Sequence, residues 1–303
     1  MRNVLCKALV EQAAASRFVF LTGDLGYDAL EPLRDAMGPR FINAGVAEQN
    51  MVSVAAGLAV TGWSSWVYSI ASFLYSRPFE QIRNDVCQHD LPVKIAGNGG
   101  GYAYGVMGGT HHALEDYGVL LSLPNMRAFI PAFAGDVGPI ARGLMTFRHP
   151  SYLRLGRCEK PKDFDVPPYA PWRRLLRGGG PTMVVVGPLV GGIVAALRPL
   201  PEDRRPDLWV LTELPLDKRS VPTEFLDDLR GSRHLFVVEE HVAQGGAGQQ
   251  LPHLLLTMGE MPPRFTHRCA LGYVSGLYGS QAFHRKECGL DAASIVAELG
   301  GGA

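Results

Sequence analysis

Nothing in this 303-residue chain provides a large net charge, a membrane span or a disulfide frame. The 29 Lys and Arg balance the 29 Asp and Glu, and no basic stripe breaks that balance. Nucleic acid and anionic membrane surfaces are therefore poor partners. No apolar run reaches the roughly 18 residues that cross a bilayer. The start, Met1-Arg2-Asn3-Val4-Leu5-Cys6-Lys7, has no apolar secretory segment. The five cysteines (Cys6, Cys87, Cys158, Cys269, Cys288) are odd in number, scattered and without CxxC pairs. That argues against a disulfide frame or zinc site and for free thiols in a reducing cytoplasm. Internal repeats and low-complexity tracts are absent too. The segment Gly97-Asn98-Gly99-Gly100-Gly101 follows a strand-like run but lacks the G-x-G-x-x-G spacing into a helix, which disfavours a nicotinamide cofactor.

What is present is a well-packed globular composition, 47% hydrophobic and 19% charged, long enough for two domains of about 150 residues. Near-zero net charge protects solubility weakly, which suits a subunit that lives in a complex. Over residues 1–160 strand-like apolar runs alternate with helical patterns. Residues 18–22, 66–70, 92–97, 126–131 and 151–155 read as buried strands, and 47–61 and 79–87 as helices. Continuous apolar strands separated by helices predict an α/β fold with a doubly wound parallel sheet. Residues 161–181, rich in Pro, Lys, Arg and Gly, read as a linker. Strand-like runs at 182–187, 208–212 and 235–240, with a helical pattern over 248–258, predict a second, smaller α/β domain over 182–303.

Two segments carry candidate chemistry. Ala44-Gly45-Val46-Ala47-Glu48-Gln49-Asn50 sets one carboxylate in a small, apolar neighbourhood. Burying a lone carboxylate costs several kcal/mol unless a partner offsets it, so Glu48 is a candidate functional residue. A helix-start carboxylate with an ordinary salt bridge is the alternative. The second segment, Met107-Gly108-Gly109-Thr110-His111-His112, places His111 on a glycine-rich loop after a parallel strand, where open α/β sheets bind ligands. Thr110 is expected to cap a helix there, whose positive end would favour a neutral His111; a capping or surface His is the plainer reading. The glycines themselves are expected to allow close backbone approach to a ligand or a neighbouring chain.

Taken in order, the chain holds Gly23-Asp24-Leu25, Gly45-Val46-Ala47-Glu48-Gln49-Asn50, Ser72-Phe73-Leu74 and Phe79-Glu80-Gln81-Ile82-Arg83-Asn84-Asp85. Gly109-Thr110-His111-His112, Arg154-Leu155-Gly156-Arg157, Pro215-Leu216-Asp217 and Val238-Glu239-Glu240-His241 follow, then Gly245-Gly246-Ala247-Gly248. This order resembles the C-terminal half of transketolase and of 1-deoxyxylulose-5-phosphate synthase. It is similar, less closely, to the β subunit of 2-oxoacid dehydrogenases. The resemblance covers nearly the whole chain.

The resemblance implies a pyrimidine-binding domain followed by a transketolase C-terminal-like domain, with thiamine diphosphate as cofactor. Glu48 matches the Glu that bonds ring nitrogen N1′ of the aminopyrimidine and drives its 4′-amino group toward the imino form. Phe73 matches the aromatic residue that stacks on that ring, and Phe79 a second aromatic of the pocket. Asp24 matches an acidic residue near the cofactor at a subunit interface. His111 matches the His that contacts the donor's hydroxyl groups, and Arg157 an Arg that binds substrate phosphate. No chemistry is assigned to Glu240 or His241.

The departures are informative. Met107 stands where transketolase usually has an acidic residue, and the position of a phosphate-binding His falls on Gly99. These suggest an acceptor less phosphorylated than the usual sugar phosphates. The Gly-Asp-Gly and distal Asn that hold diphosphate and metal are missing: Leu25 breaks the first candidate, and no Asn follows Gly135-Asp136-Val137, since Asn125 is the last Asn. No metal ligand is therefore assigned in this chain. The chain is also expected to start almost directly in the pyrimidine-side domain, with no room ahead for another. The expectation is half of a split transketolase, in the cytoplasm. A separate subunit would carry the diphosphate-binding domain and Mg2+ in an α2β2 heterotetramer in which this chain self-associates and which acts on sugars or sugar phosphates. A 2-oxoacid decarboxylating or acyloin-forming β-type subunit serving a carrier, and a catalytically idle regulatory paralogue, are the alternatives.

Overall fold

Phe18–Thr22, five apolar or small residues all buried, form β1 in the interior of the first sheet of the computed structural model. The structure describes residues 1–15 and 17–300. Along β1 the side chains alternate as a pleated strand requires. Val19 and Leu21 join the core under the helix Glu48–Val60, while Phe18 and Phe20 join the core under the helices Arg2–Gln12 and Ala134–Thr146. Both faces are thus covered, the condition under which strands read as unbroken apolar runs.

The remaining strands are β2 (Phe41–Asn43), β3 (Ser64–Ile70), β4 (Val93–Asn98), β5 (Arg127–Phe129) and β6 (Ser151–Leu155), followed by β7 (Trp172–Leu176), β8 (Thr182–Val186) and β9 (Asp207–Leu211). Then come β10 (Glu213–Leu214), β11 (His234–Val238) and β12 (Arg264–Arg268). The first sheet runs β10-β5-β6-β4-β3-β1-β2 and the second β12-β11-β8-β9-β7. Among the described strands only β10, against β5, and β7, against β9, pair antiparallel. Two parallel-dominated α/β sheets are the fold class expected above.

Several local expectations need correction. The segment expected to be a linker over 161–181 contains β7, which closes an edge of the second sheet. Its two arginines suggest an exposed segment, but Arg173 is buried against Asp136, to which it donates two bonds of 2.8 and 2.6 Å. The expected domain over 182–303 ends on residues 301–303, which lie outside the described residues. The helix expected over 79–87 is regular only at Phe79–Gln81 and continues as a π-helical stretch, Ile82–Cys87. No helix begins at His111. Ala113 makes an antiparallel bridge to Gly101, and that extended residue confines 109–111 to a turn; the helix starts at Asp116. The helix end expected to act on His111 is therefore absent there.

A buried polar seam joins the layers of the two sheets. Asp136 accepts from Arg173 and also from the N–H groups of Ala132 and Phe133 at 3.0 Å each, capping the start of the helix Ala134–Thr146. Arg154 donates to Asp116 at 2.8 Å, and to the carbonyls of Ala113 and Glu240 at 2.8 and 3.0 Å. The Glu240 carboxylate accepts from the Tyr102 N–H at 2.7 Å and from Arg285 at 2.6 Å. Glu239 accepts from His267 and from the N–H groups of Ala247 and Gly248, and the His241 ring stacks on Tyr117 at 3.8 Å. Buried charges that are paired and hydrogen-bonded in this way fix how layers dock. Glu240 and His241 belong to this seam. It also explains the glycine loop: Gly101 has φ +66°, and a Cβ there would lie 2.6 Å from the Glu240 carboxylate. The close approach expected of these glycines is made to the chain's own side chains.

Candidate functional site

The first sheet changes direction at β1, whose neighbours are β2 and β3. In open α/β sheets the crevice at the carboxyl ends of strands beside such a switch point binds ligands. Two helices begin there. Glu48 is the first residue of the helix Glu48–Val60, after β2, and Phe73 lies in the helix Ala71–Ser76, directly after β3. Met51, Val52, Ala55, Ala56 and Ala59 bury the first helix, at roughly 1.5–3 kcal/mol for each larger apolar side chain. Glu48 is carried into the interior with them and is only 4% exposed.

The residues at this end form a connected chain. Arg77 Nη1 donates to Glu48 Oε1 at 2.8 Å, and the Arg77 guanidinium carbon lies 3.8 Å from the centre of the Phe73 ring. His111 packs its ring against Phe73 at 5.1 Å, nearly edge-on, and lies 5.7 Å from the Tyr104 ring. Ser72 Oγ donates to the Thr110 carbonyl at 3.1 Å, tying the Phe73 helix to the His111 turn, where Thr110 Oγ1 and His111 Nδ1 are 2.9 Å apart. Asn98 Nδ2 donates to the Tyr104 hydroxyl at 2.9 Å. Burial raises that phenol above its ordinary range, while the Asn98 bond and the charges of Arg2 and Arg157 oppose the rise.

Of the residues expected from sequence, Glu48, Phe73 and His111 are brought together, and exposed Arg157 acts electrostatically on Tyr104 at the far end of the chain of contacts. Asp24 stands one step removed. It has φ 55° and accepts from Asn43 Nδ2 at 2.8 Å, while Asn43 Oδ1 accepts from the Gly45 N–H, so Asp24 holds the loop that leads into Glu48. It also lines a cavity of about 320 Å³ with Tyr27, Glu31, Arg34 and Asn43. Phe79 packs half-buried against the hydrophobic core. A larger cavity of about 640 Å³ lies at the amino ends of β8, β11 and β12 and includes none of the expected residues. Sequence reasoning missed Arg77, Tyr104 and Asn98. Arg77 had a readable signal: it follows Phe73 by four positions, the spacing that stacks side chains on one helical face.

Tested against thiamine diphosphate, these residues fit the aminopyrimidine end: a buried carboxylate beside an aromatic face can grip a flat nitrogen heterocycle. The diphosphate and metal end does not fit. Among the described residues no group of three or more His, Cys, Asp or Glu could hold a metal ion.

Known proteins resemble this chain in sequence and fold. Residues 2–161 match the transketolase pyrimidine-binding domain. One of the subunits of the apulose-4-phosphate transketolase of Actinobacillus succinogenes is 32% identical over 262 residues, covering 85% of this chain and 83% of that protein. 1-Deoxy-D-xylulose-5-phosphate synthase 2 of Geobacter sulfurreducens is 32% identical over 271 residues, 86% of this chain and 42% of the synthase. The structure of a split-gene transketolase in an inactive β4 tetramer superposes with a TM-score of 0.80 at 29% identity, covering 99% of this chain and 96% of that one. Campylobacter jejuni transketolase shares the fold, with a TM-score of 0.78 at 15% identity over 46% of its length. Fold and site therefore define a two-domain α/β protein built like the C-terminal half of a transketolase-like enzyme. The chain belongs to the transketolase family, with the pyrimidine-binding domain at residues 2–161.

Proposed function

We propose that this chain is the pyrimidine-side subunit of a split, thiamine diphosphate-dependent transketolase that moves a two-carbon ketol unit from a ketose donor to an acceptor. The buried Glu48 beside the Phe73 ring at the switch point is the observation that carries this reading. Bound thiamine diphosphate supplies a stabilised carbanion for breaking and making C–C bonds. Glu48 holds a proton at ring nitrogen N1′, Phe73 orients the ring by stacking, and Asp24 steadies the loop before Glu48 through Asn43. His111, on the edge of Phe73, binds the donor's hydroxyl groups, and exposed Arg157 takes an anionic substrate group. Phe79 supports the pocket from the core.

A separate subunit would supply the diphosphate cradle and Mg2+, most simply in a cytoplasmic α2β2 assembly. One relative named as a transketolase subunit and another named as a split-gene transketolase support that partition. Calorimetric titration of thiamine diphosphate with Mg2+ into this chain, alone and mixed with a candidate partner, tests it. Tight binding only in the mixture is expected; tight binding by this chain alone would overturn the partition, and no binding in either would overturn the reading.

The acceptor is proposed to be less phosphorylated than a standard pentose phosphate. A Cβ at Gly99 would lie 2.1 Å from the Tyr104 ring, so the phenol fills the space that a side chain at position 99 would need. Met107 stands exposed nearby in the chain. Turnover with free and phosphorylated sugars decides the point, and a strong preference for the phosphates would refute it. A second reading, a 2-oxoacid decarboxylating or acyloin-forming subunit, has the likeness to deoxyxylulose-phosphate synthase in its favour. Carbon dioxide release from pyruvate would identify it.

A further inference from the structure

Arg77 makes two contacts at once that a cofactor ring would need. Its guanidinium donates to Glu48 Oε1 at 2.8 Å while lying 3.8 Å over the Phe73 ring. A flat, nitrogen-bearing cation that bonds Glu48 and stacks on Phe73 reproduces the contacts assigned above to the aminopyrimidine. We propose that Arg77 is a placeholder: in the free subunit its guanidinium occupies the aminopyrimidine seat, and the incoming ring displaces it. The inference rests on the reading of Glu48 and Phe73 given under the proposed function.

Physical chemistry gives the device a reason. Glu48 is enclosed almost completely, and a carboxylate buried without a partner costs several kcal/mol. A subunit that folds before the cofactor arrives needs a counter-ion at that point. Arg77 provides one without being committed to the interior, because its own side chain is 43% exposed. The helix Ala71–Ser76 ends just before it, and the Arg77 N–H bonds the Phe73 carbonyl, so its backbone is fixed while its long side chain can swing into solvent. Guanidinium suits the task better than ammonium would, since only a planar group bonds a carboxylate and stacks on a ring together.

The test uses the full chain and an aminopyrimidine probe without a diphosphate, 4-amino-5-hydroxymethyl-2-methylpyrimidine. Its affinity is measured by calorimetry, and the Arg77 Nε–H signal is followed by NMR. Arg77→Ala is expected to bind the probe about tenfold more tightly than the wild type, the equivalent of one half-exposed ion pair plus one cation–ring contact. In the wild type, saturation should move the Arg77 signal toward that of a free surface arginine. Equal affinity in the two proteins, an Arg77 signal that stays in place at saturation, or no binding by Arg77→Ala would each overturn the placeholder. Glu48→Ala separates the two layers of the argument. Weaker binding by that variant, with Arg77→Ala no better than wild type, removes the placeholder and leaves the Glu48 seat standing. Undiminished binding removes the seat and the placeholder together.

Discussion

Replacing Glu48 by Gln should separate activity from stability at a single atom. Glutamine keeps the volume of the side chain and an oxygen able to accept from Arg77 Nη1, now 2.8 Å from Oε1. A hydrogen bond to a charged group contributes about 1.5–3 kcal/mol and a neutral one about 0.5–1.5 kcal/mol. Arg77 is 43% exposed, so solvent screening reduces the difference to about 1 kcal/mol or less. Folding and assembly should survive a loss of that size. Ketol transfer in the assembled enzyme should not. A side chain that manages a proton in the transition state is worth about a hundredfold to ten-thousandfold in rate. That corresponds to about 2.7–5.4 kcal/mol of barrier, several times the stability loss. The assay follows aldose release from a ketose donor, with thermal unfolding and sedimentation run on the same preparation. Turnover within a few-fold of wild type would refute the role of Glu48. A stability loss large enough to explain the missing turnover would refute the reasoning about Arg77.

Three further outcomes are expected. Phe73→Leu removes the stacking face and should weaken thiamine diphosphate binding in the assembled enzyme by several-fold, about 0.5–1.5 kcal/mol, in a calorimetric titration; unchanged affinity would return Phe73 to the core. Arg173→Met leaves the buried Asp136 carboxylate without its guanidinium and should lower the unfolding free energy by about 3–5 kcal/mol in urea, with no direct effect on cofactor contacts. Lys94 is fully buried and donates to the carbonyls of Phe147 and His149 at 2.6 and 3.2 Å. Burial pushes its amine down to about 7 from an ordinary 10.5. Between those two values the unfolded chain binds the extra proton, so this residue makes stability rise with pH across that window. The unfolding free energy of the wild type relative to Lys94→Met should therefore grow from about pH 7 to about pH 9 in urea titrations; parallel profiles would contradict the assignment.

Much of the architecture was legible because buried parallel strands announce themselves as apolar runs. β1, β3, β4, β8, β9 and β11 all do so. β7 and β12 do not. Trp172–Leu176 carries two arginines, one of them neutralised by an aspartate 37 positions earlier, and Arg264–Arg268 is an edge strand with exposed, polar residues. Sequence patterns report local burial and cannot report a partner that only the fold supplies. The same limit governs the site. Glu48 stood out because a carboxylate among small apolar residues is conspicuous, and Phe73 and His111 stood out through a resemblance. Tyr104 meets His111, and Asn98 meets Tyr104, only because β4 and the following loop bring these residues together. The helix expected at His111 failed for a related reason: the bridge from Ala113 to Gly101 is a long-range pairing that overrides local capping signals.

β10 is two residues long and follows β9 of the second sheet after a single residue, yet it pairs with Ala128 and Phe129 on the edge of the first sheet. For the gene this has a consequence. A recombination joint in the Pro-rich stretch before β7 would look harmless, since that stretch resembles a hinge. A crossover there would pair one parent's β5 with another parent's β10, and one parent's Asp136 with another's Arg173. Mismatched parents would leave a bare strand edge, the kind of surface on which chains aggregate. Chimaeras should tolerate exchange within surface loops better than at this apparent seam, and the two halves should be inherited as a pair.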